Sequence, residues 1–340
     1  MRQYHQGRRL SGAAIAVALV CAALVYAGVL LGVRLIGNRL EKADTSEPVG
    51  SLEGRFSSDE LTMRYANRTW TYRKRDLTNL LLIGVDWAET DSSAASGRYA
   101  GQADFLLLTT FDKRNKTISM LQIDRDTMTD IRVYGPFGDY TGIRNTQICL
   151  SHAYGTTAAE NCENTIWAAS RLLGNIPIDG YIALDMSAIA ALNDALGGVT
   201  VTLEDDFSAL DPQMVAGATI TLQGKQAESF VRGRTGVGDG TNLSRMKRQR
   251  TFIQNAGDMI AEGLAQDSGF AGKLLDSLAD HITMNVTRGW LINKAYESGS
   301  YERTGARSLA GSHEIGADGF MEFHADADAL NDLLTANFFE

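Results

Sequence analysis

The sequence predicts an α/β fold, a central sheet with helices on both faces, behind one membrane-spanning helix. Three observations carry that reading. Residues 13–33 form an apolar run without a charged side chain. Strand-length apolar runs follow at 79–86, 103–111 and 117–123. Helical spacing at 160–173, 187–196 and 242–266 then alternates with short strand-like segments, the pattern of a layered α/β domain.

Taken in order, residues 1–12 form a short tail carrying Arg2, Arg8 and Arg9, which favours a cytoplasmic N-terminus. The run 13–33 matches the roughly 20 residues a helix needs to span a bilayer. It is longer than a signal-peptide core and no A-x-A-like site closes it, so an uncleaved anchor is expected, with the rest of the chain extracytoplasmic. Residues 34–78 are polar and charge-mixed, and read as a stalk and domain edge. The runs at 79–86 and 103–111 are nearly continuous in apolar residues, as expected of strands covered on both faces. The helix at 187–196 ends in Gly197-Gly198, a C-cap signal. Segments 199–203 and 218–222 alternate like strands, and 242–266 is a long helix with Leu243, Met246, Ile253, Met259 and Ile260 among its apolar positions. The domain core is placed at 79–266, and 267–340 is expected to be a helical continuation of it.

Charge excludes some functions and localises another. The chain has 340 residues with 32 basic and 41 acidic side chains, a net of −9, which disfavours a globally basic nucleic-acid binder. The twelve-residue tail has no room for a helix-turn-helix. Residues 225–250 nevertheless carry Lys225, Arg232, Arg234, Arg245, Lys247, Arg248 and Arg250 against only Glu228 and Asp239. That stretch is +5, and the remainder is −14. Its glycine-rich run TGVGDGTN beside arginine forks suits a phosphate or pyrophosphate. Arg245 and Gln249 stand four apart on the same helix, with Arg248 beside them, so they can face one ligand; a solvated helix face is the plainer alternative. Asp86 ends the first strand and Asp104 opens the second, where paired carboxylates could hold Mg²⁺ together with substrate phosphates. Asp124-Arg125-Asp126-Thr127 ends the third strand, and ligand sites of such sheets gather at strand ends. An oxidising compartment would allow Cys149 and Cys162 to join, a bridge worth roughly 3 kcal/mol.

Together these segments resemble the LytR-CpsA-Psr family of membrane-anchored cell-wall phosphotransferases. The matching stretches run in the family's order over roughly 79–260: LLLIGVD (80–86), a strand opening with Asp104, ISMLQIDRDT (118–127), IRNTQICLSHAYG (143–155), ALNDALGGV (191–199), VRGR (231–234) and SRMKRQ (244–249). FHADADALNDLL (323–334) resembles the ending of some members less specifically. The resemblance implies an α/β/α arrangement around a mixed sheet, with an apolar cavity for a polyprenyl chain and the pyrophosphate at its mouth. It implies that Asp86 and Asp104 bind Mg²⁺ (or Mn²⁺), with either of them a candidate base. It implies that Arg125, Arg144, Arg232, Arg234 and Arg245, joined by Gln249, bind the pyrophosphate, Arg125 also serving catalysis. The expected reaction moves a glycan phosphate from a polyprenyl-pyrophosphate carrier to a peptidoglycan sugar hydroxyl at the membrane, without nucleic acid. A non-catalytic lipid- or glycan-binding regulator and a lipid pyrophosphatase are the alternatives. The sequence departs from the family pattern at three places: Gln102 where Arg is usual, Asp124 where Pro is frequent, and Asn242 where Asp is frequent.

Overall fold

The computed structural model describes residues 61–340 except 87–100, 136–137, 186, 234–235, 268–269, 288–289, 292–293, 295–296 and 299–300. The apolar run 13–33 lies outside the described residues. Among the described residues, no helix is long and apolar enough to cross a membrane.

The centre is a six-stranded mixed sheet. Its strands are β3 (Leu77–Asp86), β4 (Gln102–Asp112), β5 (Thr117–Ile123), β8 (Gly180–Asp185), β11 (Ile282–Met284) and β12 (Glu302–Ser308). They lie in the order β11-β8-β3-β4-β5-β12. Pairs β8/β3 and β5/β12 are parallel, while β11/β8, β3/β4 and β4/β5 are antiparallel. Outside the sheet lie the hairpins β1–β2 (Thr62–Tyr65, Arg68–Thr71), β6–β7 (Met128–Tyr134, Tyr140–Gln147), β9–β10 (Thr200–Thr202, Thr219–Thr221) and β13–β14 (Gly311–Ile315, Met321–Ala325).

The apolar runs of β3 and β4 are continuous because both faces are covered. On one face Leu80, Leu82, Phe105, Leu107 and Met120 pack against helices α2 (Ser187–Ala195), α4 (Asn242–Gln266) and α5 (Phe270–Leu278), through Ala188, Ile260, Leu274 and Leu278. On the other, Leu81, Ile83, Leu106, Leu108 and Leu121 pack against α1 (Ala158–Leu172) and α6 (Ala327–Phe338), through Ile166, Ala169, Leu334 and Phe338. A smaller cluster joins β9–β10 and helix α3 (Lys225–Arg232) to α4 through Val201, Phe207, Phe230 and Phe252. The C-cap expected after α2 is present: Gly197 and Gly198 have φ of 79° and 102°, and Gly198 N–H donates to the Asn193 carbonyl at 2.8 Å.

Two expectations are corrected. The segment 267–340 is not a helical continuation; besides helices such as α5 and α6 it supplies both edge strands of the sheet, β11 and β12, and the hairpin β13–β14. An edge strand such as ERTGARS packs on one side only, so it lacks the apolar run that marks its inner neighbours. Cys149 and Cys162 are buried free thiols, not a bridge. Their sulfurs are engaged apart from each other, Cys149 by the Arg125 guanidinium at 3.3 Å and Cys162 beside His152 Nε2 at 3.7 Å.

Candidate active site

The site forms where β4 begins, β5 ends and α4 begins. Gly84 of β3 pairs with Phe105 and Val85 with Ala103, so Asp104 is an extra residue opposite no partner. Such a bulge re-aims a side chain that strict alternation would bury in the wrong layer. Released from the pleat, Asp104 is held between two arginines. Its Oδ1 accepts from Arg125 Nη1, and its Oδ2 accepts from Arg245 Nη1 at 2.9 Å. The carboxylate is 9% exposed and the Arg245 side chain 4%, so the contact is shielded from water and salt.

Arg125 reaches this point because β5 stops at Ile123 and the chain turns. Asp124 shapes that turn, its carbonyl accepting from Thr127 N–H at 3.1 Å and its side chain from Asp126 N–H at 2.9 Å. The guanidinium also donates to Gln102 Oε1 at 2.5 Å and pairs through Nε with Asp126 at 3.2 Å. Cys149 lies against the same group; burial pushes its thiol up to about 11 although Arg125 opposes the rise, so it is a neutral neighbour rather than a nucleophile.

Arg245 stands on the first turn of α4, whose N-cap is Thr241, accepting from Ser244 N–H at 3.2 Å. Gln249 lies one turn further, is 3% exposed, and has a side-chain oxygen without a hydrogen-bond partner. It lines an apolar cavity of about 90 Å³ with Leu82, Phe105, Leu184, Leu192 and Phe252. That cavity is well below the roughly 300 Å³ of ordinary small-molecule sites, so a long lipid chain would have to part the helices around it.

The remaining expected residues are placed as follows. Arg248 faces away from Asp104: it donates to the Phe230 carbonyl at 3.0 Å, to Asp205 at 2.7 Å and to the Gly233 carbonyl. Arg232 pairs with Glu228 on α3. Arg144 is exposed on β7, opposite Ile131, and no described contact joins it to Asp104 or Arg125. Asp86 is the last residue of β3, but its side chain lies outside the described residues, as does Arg234. The structure adds His313 of β13, whose Nε2 bonds Asp124 Oδ2 at 2.9 Å. A single histidine nearly 190 positions from its partner carries no sequence signal. The described residues contain one group of three closely spaced metal-type ligands, Glu314, Glu322 and His324, and it is not in this site.

Comparison with known proteins agrees with this architecture. The LytR_cpsA_psr family matches residues 41–337. A protein of Oceanobacillus iheyensis named polyisoprenyl-teichoic acid–peptidoglycan teichoic acid transferase TagU is 28% identical over 293 residues, covering 84% of this chain and 80% of the relative. Among solved structures, a protein of Streptococcus agalactiae superposes with a TM-score of 0.61 at 21% identity, over 77% of this chain and 87% of that one. TagV of Bacillus subtilis superposes with a TM-score of 0.56 at 22% identity, over 77% and 95%. These two likenesses show the fold.

Proposed function

The chain belongs to the LytR-CpsA-Psr family, and from that premise we propose that it transfers an anionic glycopolymer from a polyprenyl-pyrophosphate carrier to peptidoglycan. The observation that carries the reading is the pair Arg125 and Arg245 converging on Asp104 beside an apolar cavity lined by Phe105 and Gln249. Guanidinium forks next to a greasy cavity suit a ligand with a phosphate head and a hydrocarbon tail. The names of relatives such as TagU support the same substrate class.

In the proposed reaction an acceptor sugar hydroxyl attacks the phosphorus that bears the glycan. The new P–O bond is the phosphodiester, and the bond to the polyprenyl phosphate breaks. The hydroxyl proton passes to a carboxylate at this strand end, Asp86 or Asp104. Arg125 and Arg245 bind the pyrophosphate oxygens and stabilise the charge that builds on the leaving phosphate, in competition with Asp104 for the same N–H groups. Arg232 at the C-terminal end of α3, together with Arg234, would extend the anion site, and Arg144 would extend it from the hairpin β6–β7. The Asp104 oxygens suit a hard cation that brings phosphate ligands of its own, because Mg²⁺ needs only one or two protein carboxylates. Mg²⁺ or Mn²⁺ held by Asp104 and Asp86 would supply positive charge to the transferred phosphoryl group. The apolar run 13–33 would anchor the domain on the outer side of the membrane, where carrier and peptidoglycan meet.

The test uses the full-length chain in detergent with a polyprenyl-pyrophosphate-linked glycan and uncrosslinked peptidoglycan. Divalent-cation-dependent attachment with release of polyprenyl phosphate is expected, reduced at least about a hundredfold in Arg125→Ala or Arg245→Ala, as for lost oxyanion contacts. Release that proceeds equally without peptidoglycan would make the protein a pyrophosphatase, and tight binding without turnover would make it a regulator.

A further inference from the structure

Behind Arg245 lies a chain of hydrogen bonds that meets the proposed phosphate site through that arginine. It begins on the hairpin β13–β14. His313 donates to Asp124 Oδ2 at 2.9 Å, and its ring packs on Phe323 with centroids 4.8 Å apart. Asp124 Oδ1 accepts from Asn242 Nδ2 at 2.6 Å. Asn242 Oδ1 accepts in turn from Arg245 Nη2 at 2.7 Å. The other terminal nitrogen of Arg245 is the one that meets Asp104. Asp124, Asn242 and Arg245 are 4%, 4% and 3% exposed, so water cannot readily replace any of these partners.

The donor and acceptor chemistry leaves a single orientation. An ionised carboxylate only accepts and a guanidinium only donates. The Asn242 amide, placed between them, must turn its NH₂ to Asp124 and its oxygen to Arg245. Asparagine is the residue whose short side chain satisfies both neighbours at once. A carboxylate at 242 would still satisfy Arg245 but would stand against Asp124 with no proton between them.

We propose that Asp124, Asn242 and His313 are positioning residues that fix the direction of the Arg245 guanidinium, and that positions 124 and 242 form a pair that tolerates exchange but not single change. Two of the three departures from the family pattern, Asp124 and Asn242, are then one coupled device. The third, Gln102, holds the other arginine, accepting from Arg125 at 2.5 Å. The proposal rests on the reading of Arg245 as a phosphate ligand, and the experiment separates the two.

The full-length protein is titrated with geranylgeranyl pyrophosphate, and its thermal midpoint is measured in parallel. Asp124→Ala and Asn242→Ala are each expected to weaken binding about tenfold, the effect of one charge-assisted hydrogen bond, and the double variant no more than either alone. Asn242→Asp alone is expected to bind more weakly still. The exchange D124N/N242D, which restores an NH₂ facing a carboxylate, is expected to return to within about threefold of the natural protein, short of full recovery because Asp126 N–H loses its acceptor. His313→Ala is expected to give a smaller loss that His313→Gln repairs. Natural affinity in the single variants, or losses that multiply in the double and persist in the exchange, would overturn the proposal. If the natural protein itself does not bind the probe, the phosphate-site reading fails. The pair is then judged on the thermal midpoints: equal midpoints for single and double variants with recovery in the exchange support coupling, and additive losses refute it.

Discussion

Arg245 and Arg248 are both buried, stand three residues apart on one helix, and serve different ends. Arg245 meets Asp104. Arg248 ties the C-terminal end of α3 and the loop after it to Asp205, with its guanidinium over the Phe207 ring at 5.4 Å. Truncating Arg248 removes a charged donor from two backbone carbonyls and a partly buried carboxylate. Arg248→Ala is therefore expected to lower stability by about 3 kcal/mol, read as a shifted denaturant midpoint, whereas Arg245→Ala should act mainly on pyrophosphate affinity. The stretch SRMKRQ announces a cationic helix face, and its spacing correctly brings Arg245 and Gln249 to one side. It cannot say that Arg248 turns toward the β9–β10 unit, because that depends on where Phe230 and Asp205 are delivered by chain some 15 to 45 residues earlier. Asp104 was legible as a strand-end carboxylate; the bulge that aims it was not, since ADFLLLTTF (103–111) reads as an unbroken strand.

Strands and helices with two covered faces or a strong apolar stripe were legible to within a residue or two. The helix at 242–266 and the strand at 117–123 coincide with their expected limits. What the sequence concealed is the C-terminal segment after residue 267, whose strands are short, polar and half-exposed, and whose hairpin β13–β14 carries His313. That hairpin depends on Gly311. A β-carbon at this position would fall onto the backbone oxygen of His324 and into the Phe323 ring. The backbone oxygen cannot move without parting β13 from β14, whose register pairs Gly311 with Ala325. Gly311→Ala should therefore cost about 2 kcal/mol, as overpacked sites do, and should weaken geranylgeranyl pyrophosphate binding by loosening His313 two residues on. A variant with an unchanged melting temperature would show that the hairpin can shift as a unit without strain.

Over the whole molecule, net charge describes the surface and says little about the buried ionisable groups, which decide how the fold responds to acid. His152 is fully buried. Its Nδ1 donates to the Gly101 carbonyl at 3.0 Å, so Nε2 carries no proton and faces Cys162. Burial lowers its pKa from 6.5 to about 4, the Gly101 contact opposing only in part. The unfolded chain thus takes up a proton as the pH falls below 6.5, while the folded chain refuses it until about 4. Stability is full above pH 6.5 and falls by about 3 kcal/mol across that interval. Melting temperatures of the natural protein and His152→Asn, measured from pH 7.5 to 4.5, should therefore converge. The variant loses buried packing and melts lower at neutral pH, but it lacks this proton uptake and declines less toward acid. Because Gly101 leads directly into Gln102 and the bulge at Asp104, the same protonation should loosen the strand end that presents the carboxylate. Pyrophosphate affinity of the natural protein is then expected to fall over the same interval, and more steeply than in the variant; two parallel profiles would assign the acid response to other groups.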